Sequence, residues 1–260
     1  RSVGRGGPGV FWRWAEDAFW GGGLRLLNPA QGYRGGVARV LLAASGPAMR
    51  GQRVLELGGG VGAALLCLGR RVPGLSLTGV EIQPLYADCA RRNALGNGIE
   101  AQVVQADLSH LPAEIRQMRY HHVLANPPYF LRENGTPASN ISRETALGEQ
   151  TSLAVWVQTA AKRLEPGGHG TFIQRADRLE QLLTLMGQHL GSLQVLPFAP
   201  RVARDSHLVL VRGRKGGRAR LRLHAPVIMH CGVAHVRDAD DYSNEISAVL
   251  REAQALNFPP

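Results

Sequence analysis

The sequence HHVLANPPYF, residues 121–130, ends an apolar run on an amide, two prolines and two aromatic rings. Asn126 offers a side-chain carbonyl, and Pro127 offers a main-chain carbonyl but no N–H. With Pro128 stiffening the backbone, these two acceptors can point at both hydrogens of one –NH2 group. An exocyclic amine is a poor nucleophile because its lone pair is conjugated into the ring. Bonds accepted from it in a pyramidal geometry favour the nucleophilic form and aim the lone pair. Tyr129 or Phe130 can stack on a flat ring beside it. The plainer alternative is a proline-rich turn with core aromatics.

The second chemically loaded stretch is VLELGGGVGAALL, residues 54–66. Glu56 ends a short apolar run, and Gly58, Gly60 and Gly62 follow before a helical pattern. The backbone can therefore turn tightly and approach a ligand at a helix N-terminus. Gly58, Gly60 and Ala63 also satisfy a dinucleotide-type spacing, with Glu81 about twenty residues on. The glycines alone do not choose between a nicotinamide dinucleotide and another adenosine cofactor. Glu81, closing LTGVEI, is placed to accept from both hydroxyls of a ribose. Asp107, closing VVQAD, is placed to accept from an adenine amino group, with a helix or turn cap as its plain alternative.

These residues need a scaffold that brings four chain segments to one edge. From Arg53 the sequence alternates short apolar runs (53–57, 75–82, 101–107, 120–126) with helical segments (63–72 and 84–95). Strands hydrophobic on both faces and separated by helices predict a parallel sheet covered on two sides. Beyond the prolines, 131–150 is polar, 152–164 is helical up to EPGG, and 169–175 is a strand. A helix over 176–191 then precedes strands at 192–200 and 206–214, an antiparallel pair. The expectation is a doubly wound α/β fold with a mostly parallel seven-stranded sheet and a C-terminal antiparallel hairpin. Ligands bind such sheets beyond the carboxyl ends of the strands, where the acids, the glycines and Asn126 all fall.

The chain has 260 residues, 30 basic against 20 acidic, a formal charge of +10. Eight of the basic residues fall between Ala199 and His224, against Asp205 as the one acid. That density favours a polyanion such as nucleic acid, and a solvated face is the alternative. Arg212, Arg214, Lys215, Arg218 and Arg220 from this stretch, with Arg132 and Arg143 from the loop after the prolines, are the candidate phosphate contacts. Cys67, Cys89 and Cys231 lack metal or disulfide spacing, which points to a reducing compartment, the cytoplasm. No signal-peptide core and no apolar run of membrane-spanning length occurs, so no membrane is expected and the sequons at Asn134 and Asn140 read as accidental. His121, His122, His224, His230 and His235 have no companion ligands at metal spacing, so no metal is expected. Ser206-His207 lacks a hydrolase context. A monomer is the default.

Acid-x-G-x-G-x-G, acids after strands two and three, NPPY after strand four and PGG before strand five together resemble the class I S-adenosylmethionine-dependent methyltransferases that methylate amines. Residues 17–44 and the stretch VRGRKGGRARLRLHAP further resemble the tRNA (adenine-N6)-methyltransferases acting on a valine tRNA beside the anticodon. The resemblance implies that Gly58, Gly60 and Gly62 hold the methionine and ribose side of S-adenosylmethionine, with Glu56 near its amino group. It implies Glu81 on the ribose, Asp107 on the cofactor adenine, and Asn126, Pro127, Pro128 and Tyr129 around the target amine and the methyl donor. Tyr33 to Gly36 would cover the cofactor, making residues 1–50 a covering segment and 51–260 the methyltransferase core with its basic C-terminal region. Ala38 stands where relatives usually carry Asp, and Gly59 where Cys, Thr or Ser is usual. Direct methyl transfer to an adenine N6 flipped from a tRNA loop follows as the expected chemistry. The competing readings are another amine on the same fold (an rRNA or DNA base, or a protein glutamine), an NAD-dependent oxidoreductase, and a non-catalytic RNA-binding relative.

Overall fold

The computed structural model describes residues 3–5, 11–19, 22–29, 36–128, 151–232 and 241–259. Tyr33, Tyr129, Phe130, Arg132, Asn134, Asn140, Arg143 and His235 lie outside the described residues.

Three strands open the chain, β1 (Val3–Arg5), β2 (Phe11–Phe19) and β3 (Leu24–Pro29), which pair in sequence order as a small antiparallel sheet. Helix α1 (Gly36–Ser45) leads into the main body: β4 (Arg53–Leu57), α2 (Ala63–Arg71), β5 (Ser76–Glu81), α3 (Pro84–Gly96) and β6 (Ala101–Gln105). There follow α4 (Ala113–Gln117), β7 (Tyr120–Ala125), α5 (Leu153–Arg163), β8 (Leu164–Arg175), α6 (Leu179–Gly187), β9 (Gly191–Ala199) and β10 (Leu208–Arg214). Two short strands, β11 (Arg222–Leu223) and β12 (Val227–Ile228), and α7 (Asn244–Glu252) complete it.

The main sheet runs β6-β5-β4-β7-β8-β10-β9, with β11 and β12 both on the outer edge of β9. Only β10 runs against its neighbours; the other pairings are parallel. The seven long strands and the hairpin are thus as expected, and β11 and β12 are two-residue additions. Alternating strand residues feed two cores. Val54, Leu124, Ile173 and Leu210 pack with residues of α1, α2 and α7 on one face. Leu55, Val123, Phe172 and Val209 pack with residues of α4, α5 and α6 on the other.

Several boundaries differ from expectation for local reasons. EPGG does not break the chain before β8 but lies within it, with Gly167 at φ 82° and the register against β7 shifting between Tyr120 and His122. The helix expected over 176–191 starts as a 3-10 turn at Ala176–Arg178 and ends at Gly187. The N-terminal sheet had no sequence signal of its own, because its strands mix polar and aromatic residues without strict alternation.

Candidate active site at the carboxyl edge of the sheet

The register fixes how the site residues meet. Leu57 of β4 pairs with Val80 of β5 on one side and Ala125 of β7 on the other. Gly58, Glu81 and Asn126 each follow one of these residues, so they are lateral neighbours across adjacent strand ends, roughly 5 Å apart per strand. Gly58, Gly60 and Gly62 all adopt left-handed backbone, at φ 63°, 55° and 86°. A residue with a Cβ is strained there, which is why the turn between β4 and α2 is built from glycine.

Two carboxylates lie under this turn. Glu56 is 2% exposed, and its Oε2 accepts from the Leu65 N–H at 2.9 Å in the first turn of α2. Burial pushes its carboxyl up to about 8; Arg39 and the Leu65 N–H oppose that shift, and nearby Glu81 adds to it. Glu81 is 7% exposed and spans the turn: Oε2 accepts from Gly60 N–H and Oε1 from Gln83 N–H, each at 2.8 Å. Burial raises its pKa as well, against the pull of those N–H groups and of Arg39. Asp107 is less committed to a ligand. Its Oδ1 caps the 3-10 turn Leu108–His110 by accepting from Ser109 N–H at 2.8 Å, so the cap alternative is realised at one of its two oxygens.

At the end of β7, Asn126 Oδ1 is buried and has no hydrogen-bond partner among the described residues. A buried carbonyl without a donor costs free energy, so such an atom marks a place where a ligand donor fits. The next two carbonyls are held from the side. Gln174 Nε2 donates to Pro127 O at 3.5 Å, and Arg178 Nη1 donates to Pro128 O at 3.4 Å. A carbonyl has two lone pairs, so Pro127 retains one for a second donor. Behind the glycine turn stands Trp156 of α5, whose Cη2 would lie 2.2 Å from a Cβ on Gly58.

Three of these contributors carried no sequence signal: Arg39, Trp156 and Gln174. Each acts through a tertiary contact, and only the strand order that places β8 beside β7 could have pointed to Gln174. The basic stretch divides once placed. Arg214, Arg218 and Arg220 are exposed. Lys215 turns back, its Nζ donating to Ala161 O and Leu164 O at the end of α5, at 2.5 and 3.2 Å. Arg212 departs from the expected phosphate contact: it is 9% exposed, donates to Ser45 O, and stacks on Phe258 with Cζ 4.0 Å from the ring centre. Among the described residues no group of three or more His, Cys, Asp or Glu side chains could hold a metal ion, and no helix is long and apolar enough to cross a membrane.

A glycine turn between the first core strand and its helix, an acid at the next strand end and NPP at the fourth define a Rossmann-like fold with a group-transfer edge. The family described as "Methyltransferase small domain" matches residues 37–197, and the chain belongs to that family. It is 32% identical over 157 residues to the tRNA1(Val) (adenine(37)-N6)-methyltransferase of Porphyromonas gingivalis, a match covering 56% of this chain and 61% of that relative. The chain thus spans about three fifths of the curated relatives it matches first. Among solved structures, one described as a predicted O-methyltransferase from Agrobacterium tumefaciens superposes with a TM-score of 0.67 at 25% identity, covering 85% of this chain and 99% of that one. The Thermus thermophilus 16S rRNA N2 G1207 methyltransferase, solved with AdoMet and guanosine, shares the fold at a TM-score of 0.55 and 21% identity, covering 78% of this chain and 50% of that one.

Proposed function

We propose that this protein transfers a methyl group from S-adenosylmethionine to an exocyclic amine, and that the amine is adenine N6 in tRNA. The observation that carries this reading is the buried, unpartnered Asn126 Oδ1 at the end of β7, one strand from the glycine turn. S-adenosylmethionine would supply an electrophilic methyl group on a positively charged sulfur. The left-handed glycine turn between β4 and α2 would lie along it, and Glu81 offers its remaining lone pairs to the ribose hydroxyls. Glu56, whose Oε2 accepts from Leu65 N–H, would meet the amino group with its other oxygen, and Asp107 would meet the adenine. The N-terminal segment, residues 1–50, would cover the cofactor in this scheme.

The acceptor amine donates both hydrogens, one to Asn126 Oδ1 and one to the free lone pair of Pro127 O. Its own lone pair would then face the glycine turn, where the cofactor would supply the methyl group, and one of the two amine hydrogens, held at Asn126 Oδ1 or Pro127 O, would leave as a proton to water so that the methylated amine ends neutral. Catalysis is positioning in this scheme, since the donor is already activated. The tRNA acceptor is supported by the P. gingivalis relative's name and by the exposed Arg218 and Arg220. A tRNA substrate places the protein in the cytoplasm.

The test pairs Asn126→Ala with wild type. The variant should bind S-adenosylhomocysteine within about twofold of wild type, and methyl transfer to bulk tRNA should fall by about 100-fold or more, as expected for removing one positioned polar group. Nucleoside mass analysis of the labelled tRNA identifies the base. Transfer at wild-type rate by the variant sinks the role of NPP; label in another base or in protein moves the acceptor.

A further inference from the structure

The guanidinium of Arg39 is the charged group near the turn that the methyl-transfer scheme does not use. It sits in the first turn of α1, a helix held in place by buried Ala38, Val40, Leu41 and Leu42. From there its Nη2 comes 3.2 Å, and its Cζ 3.7 Å, from the point where a Cβ on Gly60 would stand. The guanidinium therefore lies against the glycine turn itself. It also lines a cavity of about 450 Å³ between β2, β3, α1 and α7, which touches the turn through Arg39 and Ala63.

Arg39 has five N–H donors. Among the described residues none of them makes a hydrogen bond or an ion pair, although Glu56 and Glu81 are both close enough to feel its charge. A half-buried guanidinium with no bond to any described residue, fixed by a helix against the glycine turn, is suited to an anion. The two buried carboxylates beside it are built for cations and hydroxyls. Arg39 beside the ionisable Glu56 and Glu81 complements a tail that carries both a carboxylate and an ammonium, since an ammonium favours the ionised form that burial of Glu56 disfavours.

We propose that Arg39 binds the carboxylate of the cofactor's amino-acid tail, so that the turn recognises the tail as a zwitterion. This inference rests on the methyl-transfer reading. Arg39 would then be a specificity residue for the tail and have no part in holding the nucleoside.

The experiment is calorimetric and uses two probes on the full chain. S-adenosylhomocysteine carries the charged tail, and 5′-methylthioadenosine keeps the nucleoside and thioether without it. Arg39→Ala should weaken S-adenosylhomocysteine by about tenfold or more, the scale of one charge-assisted hydrogen bond, and leave 5′-methylthioadenosine within about twofold. Arg39→Lys should recover part of the loss. Because Arg39 makes no bond within the described protein and Lys keeps the charge that Glu56 and Glu81 feel, the thermal midpoint of Arg39→Lys should stay at the wild-type value. Equal weakening of both probes, or of neither, overturns the proposal while leaving the methyl-transfer reading intact. A wild-type protein that binds NAD and not S-adenosylhomocysteine overturns both.

Discussion

A Cβ on Gly58 would stand 2.2 Å from Cη2 and 2.8 Å from Cζ3 of Trp156, and φ at Gly58 is already 63°. Overlap with a ring buried in α5 and backbone strain act together, so Gly58→Ala should destabilise the fold by about 2–4 kcal/mol in urea unfolding. Gly59, whose Cβ would meet the Glu56 carboxylate at an ordinary 3.4 Å and whose φ is not left-handed, is the control: Gly59→Ala should cost far less. Equal losses at the two positions would contradict this account of the turn. Glu56 gives a prediction in pH. Its carboxyl, pushed up to about 8 by burial, holds a proton in the folded protein that the unfolded chain releases from about pH 4.5 upward. Where the folded state binds more protons, stability falls as pH rises. The contribution is therefore complete below pH 4.5 and lost as pH rises through 8. Glu56→Gln, neutral and of the same shape, should flatten the decline between about pH 5 and 8, read from denaturant midpoints. Parallel wild-type and variant curves would assign the decline to another group. That Glu56 and Glu81 matter was legible from their places at strand ends. Their burial was not, since it comes from α1 and α2 closing over them.

At the scale of elements, the N-terminal sheet is joined to the core by two side chains at the end of α3, Asn93 within the helix and Asn97 capping it, which act as a strand. Asn93, 3% exposed, accepts from Leu27 N–H at 2.8 Å and donates to Leu27 O at 3.1 Å. Asn97 repeats the pattern one helical turn on, accepting from Arg25 N–H at 3.0 Å and donating to Arg25 O at 2.7 Å. The two amides follow the i, i+4 spacing of α3 and meet alternate residues of β3, a match of helix and strand periods. Asn93 Nδ2 also donates to Val61 O at 3.0 Å, within the glycine turn. One side chain therefore ties β3 to the glycine turn. Asn93→Ala leaves three backbone groups unpaired and should cost about 2–3 kcal/mol of stability. Hydrogen exchange at the Leu27 amide should accelerate more than at Val54 in β4; uniform acceleration would mean that the sheet is docked by other contacts. The doubly wound core was readable because each strand is an apolar run bounded by a helix of its own. The β1–β3 sheet, β11 and β12 were not, because they are defined by pairing and leave no local period. Asn93 and Asn97 looked like ordinary helix polar residues, and only β3 alongside α3 reveals their use.

Across the whole molecule, the antiparallel setting of β10 decides where the basic stretch lies. Leu208 pairs with Arg175 at the site edge, and Arg214 pairs with His169, whose partner in β7 is His122. Asn126 is four residues further along β7, roughly 13 Å up the sheet. Arg214 and the turn through Arg218 therefore sit at the edge opposite the site. From there the chain climbs back along β9: β11 pairs with Gln194–Val195 and β12 with Phe198–Ala199, ending beside the site edge. The charge density was plain in the sequence, but its path was not, because it depends on the direction of a single strand. Under the tRNA reading proposed above, exposed Arg218 and Arg220 would meet a substrate that extends well beyond the base being modified, as a folded tRNA does and a single nucleoside does not. Replacing both with Ala should weaken tRNA binding and lower the slope of log K against log salt by about 2, one unit for each phosphate that is no longer neutralised. Methyl transfer at saturating tRNA should hold, so the KM for tRNA rises while kcat stays, since neither residue reaches the site edge. Arg212→Ala provides the contrast. Its guanidinium is spent on Ser45 O and the Phe258 ring, so the change should lower stability and leave the salt slope as it was. A salt slope unmoved by the double variant, or a fall in kcat with KM constant, would place the tRNA on a different face of the sheet.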